Sequence, residues 1–124
     1  MIEITDRDFD KEVLKCDLPV FACFTTPWCH TCFPTCLLAD KLLNKYGDMV
    51  KYVRIKAEES PEVIQRYNII VVPTILLFQN SQPVKKLIGF HDLKSLRALL
   101  DSVINESDRL PGGRLEENKA RENE

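Results

Sequence analysis

Residues 25 to 36 read TTPWCHTCFPTC, which places three cysteines and a histidine within a dozen residues. What lies on either side decides how they are held. Before them runs LPVFACFT, residues 18–25, an almost unbroken apolar stretch of the kind found in strands covered on both faces. After them the spacing predicts a helix over 31–46: Leu38, Leu42 and Tyr46 recur every fourth residue, Leu37 and Leu43 widen the stripe, and Gly47 supplies a stop. Cys29 and Cys32 therefore stand where a buried strand hands over to a helix.

The rest of the chain continues the alternation. MIEI is a first strand, and Thr5 or Asp6 can cap a helix that turns Phe9, Val13 and Leu14 to one side. MVKYVRIKA (49–57) alternates with a period near two, as a strand does. Ser60-Pro61-Glu62 opens a short helix, with Ser60 as cap and Pro61 at the first helical position, where a missing N–H costs nothing. TILLFQ, a turn at Asn80 to Pro83 and VKKLIGF predict a hairpin, and Asp92 can cap a last helix through Leu93, Leu96, Leu99, Leu100, Val103 and Ile104. The order β-α-β-α-β-α-β-β-α predicts an α/β fold: a mixed central sheet, parallel where helices cross over and antiparallel at the hairpin, flanked by helices on both faces. Residues 1–106 form the expected domain. Residues 107–124 combine dense mixed charge with a Gly pair and little apolar area, and are expected to be a mobile charged tail.

Composition narrows the function. A chain of 124 residues forms one domain that buries enough surface to fold without disulfides. With 44% hydrophobic and 29% charged residues it is ordinary for a water-soluble protein, and a net charge of −2 gives no basic footprint for nucleic acid or anionic membranes. No apolar run approaches membrane-spanning length. The N-terminus shows no basic-then-apolar leader, so a cytoplasmic location is expected, where thiols are kept reduced. Five cysteines, an odd number, then point to reactive or buried free thiols instead of a disulfide framework.

The strand-helix junction has chemical consequences. Unpaired N–H groups and the positive dipole end of a helix favour an anion, so a thiolate at Cys29 is stabilised and its pKa falls below the free value of ~8.5. Two cysteines separated by two residues can close a small disulfide ring; Cys29 can attack a substrate disulfide and Cys32 can resolve it. Trp28 offers a broad rigid ring to shield the sulfur and touch a partner peptide. His30, between the sulfurs, is able to carry charge near neutral pH. Far along the chain, Val72-Pro73-Thr74 puts a proline at the mouth of the apolar strand TILLF, where it makes a turn or a cis bond, and a cis bond exposes the Val72 backbone to an extended substrate segment.

PWCHTC, followed some forty residues later by VVPTILLF, then LIGF and an amphipathic helix, resembles the thioredoxin family over residues 1 to about 106. Each motif alone is weak, whereas the pair at this separation is highly specific. The resemblance implies a thioredoxin fold and dithiol-disulfide exchange, with Cys29 as nucleophile, Cys32 as resolving thiol, Trp28 beside them, Pro73 as a cis-proline facing the site, and Gly89 as the glycine that lets a partner chain approach.

The sequence also departs from that family. His30-Thr31 replaces the usual Gly-Pro, which removes a stiff first turn and adds a hydroxyl able to bond a sulfur, so the redox potential is expected to differ from a typical thioredoxin's. Cys23 takes the place of a buried aspartate, and Arg54 that of an accompanying lysine; without the acid, Arg54 must find another anion or reach solvent. Leu37 stands where a helix-bending proline is usual, so a straighter helix is expected. Cys36, four residues after Cys32, cannot easily bond it, because Cβ atoms at that spacing lie about 5–6 Å apart against ~3.8 Å in a disulfide. Cys16, Cys23 and Cys36 are expected simply to pack as small hydrophobes. His91, after Gly89 and Phe90, is expected to be a solvated residue beside the last cap, with a place on the rim of the substrate groove as the alternative.

Two alternatives stand beside the redox expectation. Cys29, Cys32 and Cys36 with His30 or His91 would make a metal set, or thiols of two chains an iron-sulfur site, but a structural zinc site normally shows a second closely spaced ligand pair. A non-catalytic interaction module with the same fold is the other, weighed against by the persistence of both cysteines. The expectation is therefore a monomeric protein dithiol-disulfide oxidoreductase that reduces client proteins, needs no bound cofactor or metal, takes electrons from a flavoprotein of the thioredoxin-reductase type, and binds neither nucleic acid nor membrane.

Overall fold

The computed structural model describes residues 2–105 and 116–119. Strand β1 (Ile2–Ile4) leads into α1 (Asp6–Phe9), which loosens into a π-helical turn over Asp10–Leu14. Then come β2 (Val20–Thr25), α2 (Cys32–Leu43), β3 (Lys51–Lys56), α3 (Pro61–Arg66), the hairpin β4 (Thr74–Gln79) and β5 (Gln82–Ile88), α4 (Leu93–Asn105) and β6 (Glu116–Lys119). The predicted order through α4 is the observed one. The sheet runs β1-β3-β2-β4-β5-β6, with β1, β2 and β3 mutually parallel and β4 antiparallel to both β2 and β5.

The long apolar strands are covered on both sides, as their composition requires. From β2, Phe21 and Cys23 point to the side of α2 and α4, where they meet Ala39, Leu42, Leu96 and Leu100. Val20, Ala22 and Phe24 point the other way, to Phe9 and Val13 of the first helical segment and Val63 of α3. Strand β4 divides likewise, Ile75 and Leu77 to one side and Leu76 and Phe78 to the other. Burying any one of the large side chains contributes about 1.5–3 kcal/mol, and this double layer holds β2 rigidly at the sheet centre.

Four local expectations need correction. On α2 the buried face is Cys32, Thr35, Cys36, Ala39, Leu42 and Leu43, whereas Leu37 is solvent-exposed; the helix ends at Leu43, and a turn and a 3-10 segment (Gly47–Met49) follow. Ser60 does not cap α3 with its side chain: its hydroxyl donates to the Lys56 carbonyl, and the Glu62 and Val63 N–H groups donate instead to Asp6, both at 3.0 Å. Thr5 caps α1, so the two candidate caps of the first helix serve two different helices. At the chain end, Glu116–Lys119 pair in parallel with Lys85–Ile88 and extend the sheet, where a tail without structure was expected; the rest of the expected tail lies outside the described residues.

Candidate active site

Parallel pairing aligns the C-terminal ends of β2 and β3, and antiparallel pairing of Phe24 with Thr74 and of Thr74 with Ile88 brings the start of β4 and the end of β5 to the same edge. The segment 26–31 leaves β2 there. Cys29 and Cys32 are joined by a disulfide with their Cα atoms 5.4 Å apart, and Cys32 is the first residue of α2. The two sulfurs are not equivalent: Cys32 is 3% exposed, while Cys29 is only half-buried. The Cys32 backbone N–H donates to Cys29 Sγ at 3.1 Å, so an orphan amide of the helix start is spent on the outer sulfur. Thr31 Oγ1 lies 3.7 Å from the same sulfur, the contact that replacing proline made available. Both interactions, with the helix dipole, favour negative charge on Cys29.

The other expected site residues gather around this edge. Trp28 is 68% exposed, so its ring is presented outward and not used as core. His30 and Thr31 are exposed beside it. The Val72-Pro73 bond is cis, Pro73 is buried with Val72 half-buried, and Gly89, at φ 85°, donates its N–H to the Pro73 carbonyl at 2.8 Å. That φ is readily open only to glycine. Exposed apolar side chains that the pattern did not single out flank these positions: Phe33, in the wall of the cleft beside the disulfide, and Ile70 and Val71 just ahead of Val72.

A cleft of about 390 Å³ opens below the disulfide and is lined by Cys29, Cys32, Phe33, Cys36, Arg54 and Glu3 among others. One of its lining residues, Cys36, faces Cys23. Cys23 and Cys36 are buried, as expected, but they do more than fill space: their sulfurs are 4.0 Å apart. The hydrogen bond shared with Cys23 lowers the Cys36 thiol to about 6 against the opposing effect of burial, with Tyr52 and Arg54 reinforcing it. Cys23 is pushed up by the same bond and by complete burial. Arg54, which pairs with Cys23 across β2 and β3, meets Glu3 Oε2 at 3.5 Å and keeps a third of its side chain in solvent, finding both of the outlets open to it.

His91 is not solvated. It is buried, its Nε2 has no hydrogen-bond partner among the described residues, and desolvation holds its pKa below the usual histidine range despite a bond to the Ile88 backbone. Asp92 does cap α4, accepting the Ser95 N–H at 2.9 Å. Among the described residues no helix is long and apolar enough to cross a membrane, and no three His, Cys, Asp or Glu side chains are grouped to hold a metal.

Comparison with known proteins agrees with this geometry. The sequence model of the thioredoxin family matches residues 1–102. Thioredoxin 1 of Synechococcus elongatus is 34% identical over 98 residues, covering 79% of this chain and 92% of its own length. Thioredoxin of Rickettsia bellii is 33% identical over 93 residues, 75% of this chain and 89% of its own. Thioredoxin of Porphyra purpurea is 30% identical over 103 residues, 83% and 96% respectively. The metal-binding and non-catalytic alternatives are not favoured. A family model that spans most of the chain, relatives at 30–34% identity and a cysteine pair closed at the mouth of α2 make the chain a member of the thioredoxin family and a thiol-disulfide oxidoreductase.

Proposed function

We propose that Cys29 is the attacking sulfur and Cys32 the resolving one, and that the net direction is reduction of disulfides in client proteins. The difference in exposure between the two sulfurs carries this reading: only the outer one meets a macromolecular disulfide, and it is the one that receives the Cys32 amide. In the dithiol form the Cys29 thiolate attacks one sulfur of a client disulfide, forming a Cys29-client bond and releasing the other client sulfur as a thiolate. Cys32, losing its proton, then attacks Cys29 Sγ; the mixed bond breaks, the client leaves as a dithiol, and the Cys29-Cys32 disulfide closes. Electrons reside on the sulfurs throughout, so the cycle uses no bound cofactor.

Trp28, His30 and Thr31 form one rim for the client, and Val72, Pro73 and Gly89 the other, where an extended peptide pairs with exposed backbone. A flavoprotein of the thioredoxin-reductase type re-reduces the pair. The protein acts as a cytoplasmic monomer. The test is insulin reduction with NADPH and a reductase. Cys29→Ser falls to background, and Cys32→Ser accumulates a mixed disulfide with the client; full turnover by Cys29→Ser refutes the assignment.

A further inference from the structure

The Cys23-Cys36 pair has no part in the exchange cycle just described, yet it is built as a reactive unit. Its sulfurs belong to two different elements, the central strand β2 and the second turn of α2, and face each other at 4.0 Å with no side chain between them. Closing to the ~2.05 Å of a disulfide asks each sulfur to move about 1 Å. The surroundings are asymmetric. Cys23 is fully buried, whereas Cys36 forms part of the cleft wall, 6% exposed, in company with Arg54 and the Cys29-Cys32 disulfide. An opening of that kind admits a small oxidant and excludes a protein.

We propose that Cys23 and Cys36 are a second, internal redox pair, which a hydroperoxide entering the cleft converts into a disulfide that ties α2 to β2 beneath the active-site sulfurs. The order follows from exposure. Cys36 Sγ attacks the peroxide; its S–O bond forms as the O–O bond breaks, and the departing hydroxide leaves as water with the proton taken up from solvent, giving a sulfenic acid. Cys23 Sγ, giving up its proton, attacks Cys36 Sγ; the S–S bond forms, the S–O bond breaks, and the second oxygen leaves as water. Two thiols and one hydroperoxide thus become one disulfide, with two water molecules when the oxidant is hydrogen peroxide. Cys16, half-buried in the segment before β2, takes no part.

The experiment is independent of the roles given to Cys29 and Cys32, because both are removed. Full-length protein with Cys29→Ser and Cys32→Ser retains three of the five cysteines. After hydrogen peroxide, a denaturing thiol titration is expected to fall from three to one, with an intact mass lower by two hydrogens. Chymotryptic digestion separates Cys23 from Cys36 by cutting after Phe24 and Trp28, so the product appears as two fragments joined by a bond that a reductant cleaves. Adding Cys23→Ala leaves Cys36 as a sulfenic acid trapped by dimedone, whereas adding Cys36→Ala leaves Cys23 unreacted. Three thiols surviving peroxide, or a loss of two thiols that gives no Cys23-Cys36 fragment pair, overturns the proposal. Should either added substitution prevent folding, fragment mapping of the peroxide-treated wild-type protein decides on the same criterion, the presence or absence of the Cys23-Cys36 bond.

Discussion

Replacing Thr31 with valine removes one hydroxyl from the active site and little else. Thr31 sits at the N-cap of α2, where loss of a side-chain cap ordinarily costs about 0.5–2 kcal/mol, but its hydroxyl caps no helical N–H. The bond that Thr35 Oγ1 makes at 2.9 Å is to the Thr31 carbonyl, which valine keeps. What is lost is the contact of Oγ1 with Cys29 Sγ at 3.7 Å, a long bond to a sulfur. Taking ~0.5–1 kcal/mol for it when the sulfur is a thiolate, the thiolate fraction at a pH below its midpoint falls about 2- to 5-fold. The disulfide sulfur is a much weaker acceptor, so the effect falls mainly on the reduced state. Destabilising the reduced state makes the pair harder to reduce, and at a pH above that midpoint, where the thiolate predominates, its potential moves about 10–20 mV more negative. The assays are the rate of Cys29 alkylation by iodoacetamide at pH 6 to 7 and equilibration against a glutathione buffer. Thr31→Ser retains both wild-type values. An unchanged alkylation rate in Thr31→Val, or a potential that moves upward, refutes the claim that this hydroxyl tunes the outer sulfur.

Two further outcomes test the scaffold. Asp6→Ala strips α3 of the carboxylate that accepts the Glu62 and Val63 N–H groups, and is expected to cost about 1–2 kcal/mol, read as a lower denaturation midpoint with an unchanged m-value; a loss within error of zero would show that solvent replaces this cap. His91 is held neutral by burial, so its folded pKa lies below the unfolded one of ~6.5. The unfolded chain then binds the extra proton first: His91's contribution is intact above ~6.5, declines as the pH falls below that value, and is fully lost below the folded pKa. Denaturation midpoints from pH 8 to pH 5 should show this decline in the wild type and a flatter profile in His91→Gln, and equal slopes in the two would refute it.

What was legible in the sequence is what depends on neighbours along the chain. The apolar run 18–25 and the helical spacing after Cys32 are statements about the local period, and they located the strand-helix junction that makes Cys29 reactive. Contacts that join distant segments left weaker traces. Ser60 satisfies every local criterion for a helix cap, but Asp6, more than fifty residues earlier, docks its carboxylate there, and the serine turns back to Lys56. His91 looks like a loop residue, yet the folded chain buries it beside the Ile88 backbone. Glu116–Lys119 has no apolar alternation, because an edge strand is recruited through its backbone, on which the side-chain pattern is silent. The thiol pair marks the boundary between the two cases. Each cysteine alone reads as a small hydrophobe, yet β2 turns Phe21 and Cys23 toward α2, and α2 turns Cys32, Cys36 and Ala39 toward the sheet. Crossing those two periodicities leaves Cys23 and Cys36 on facing surfaces, and only the depth of packing, absent from either pattern, decides whether the sulfurs meet. Here they do, one layer below a disulfide, so the chemistry of this site extends inward from its exposed sulfur along the axis that the strand-helix junction defines.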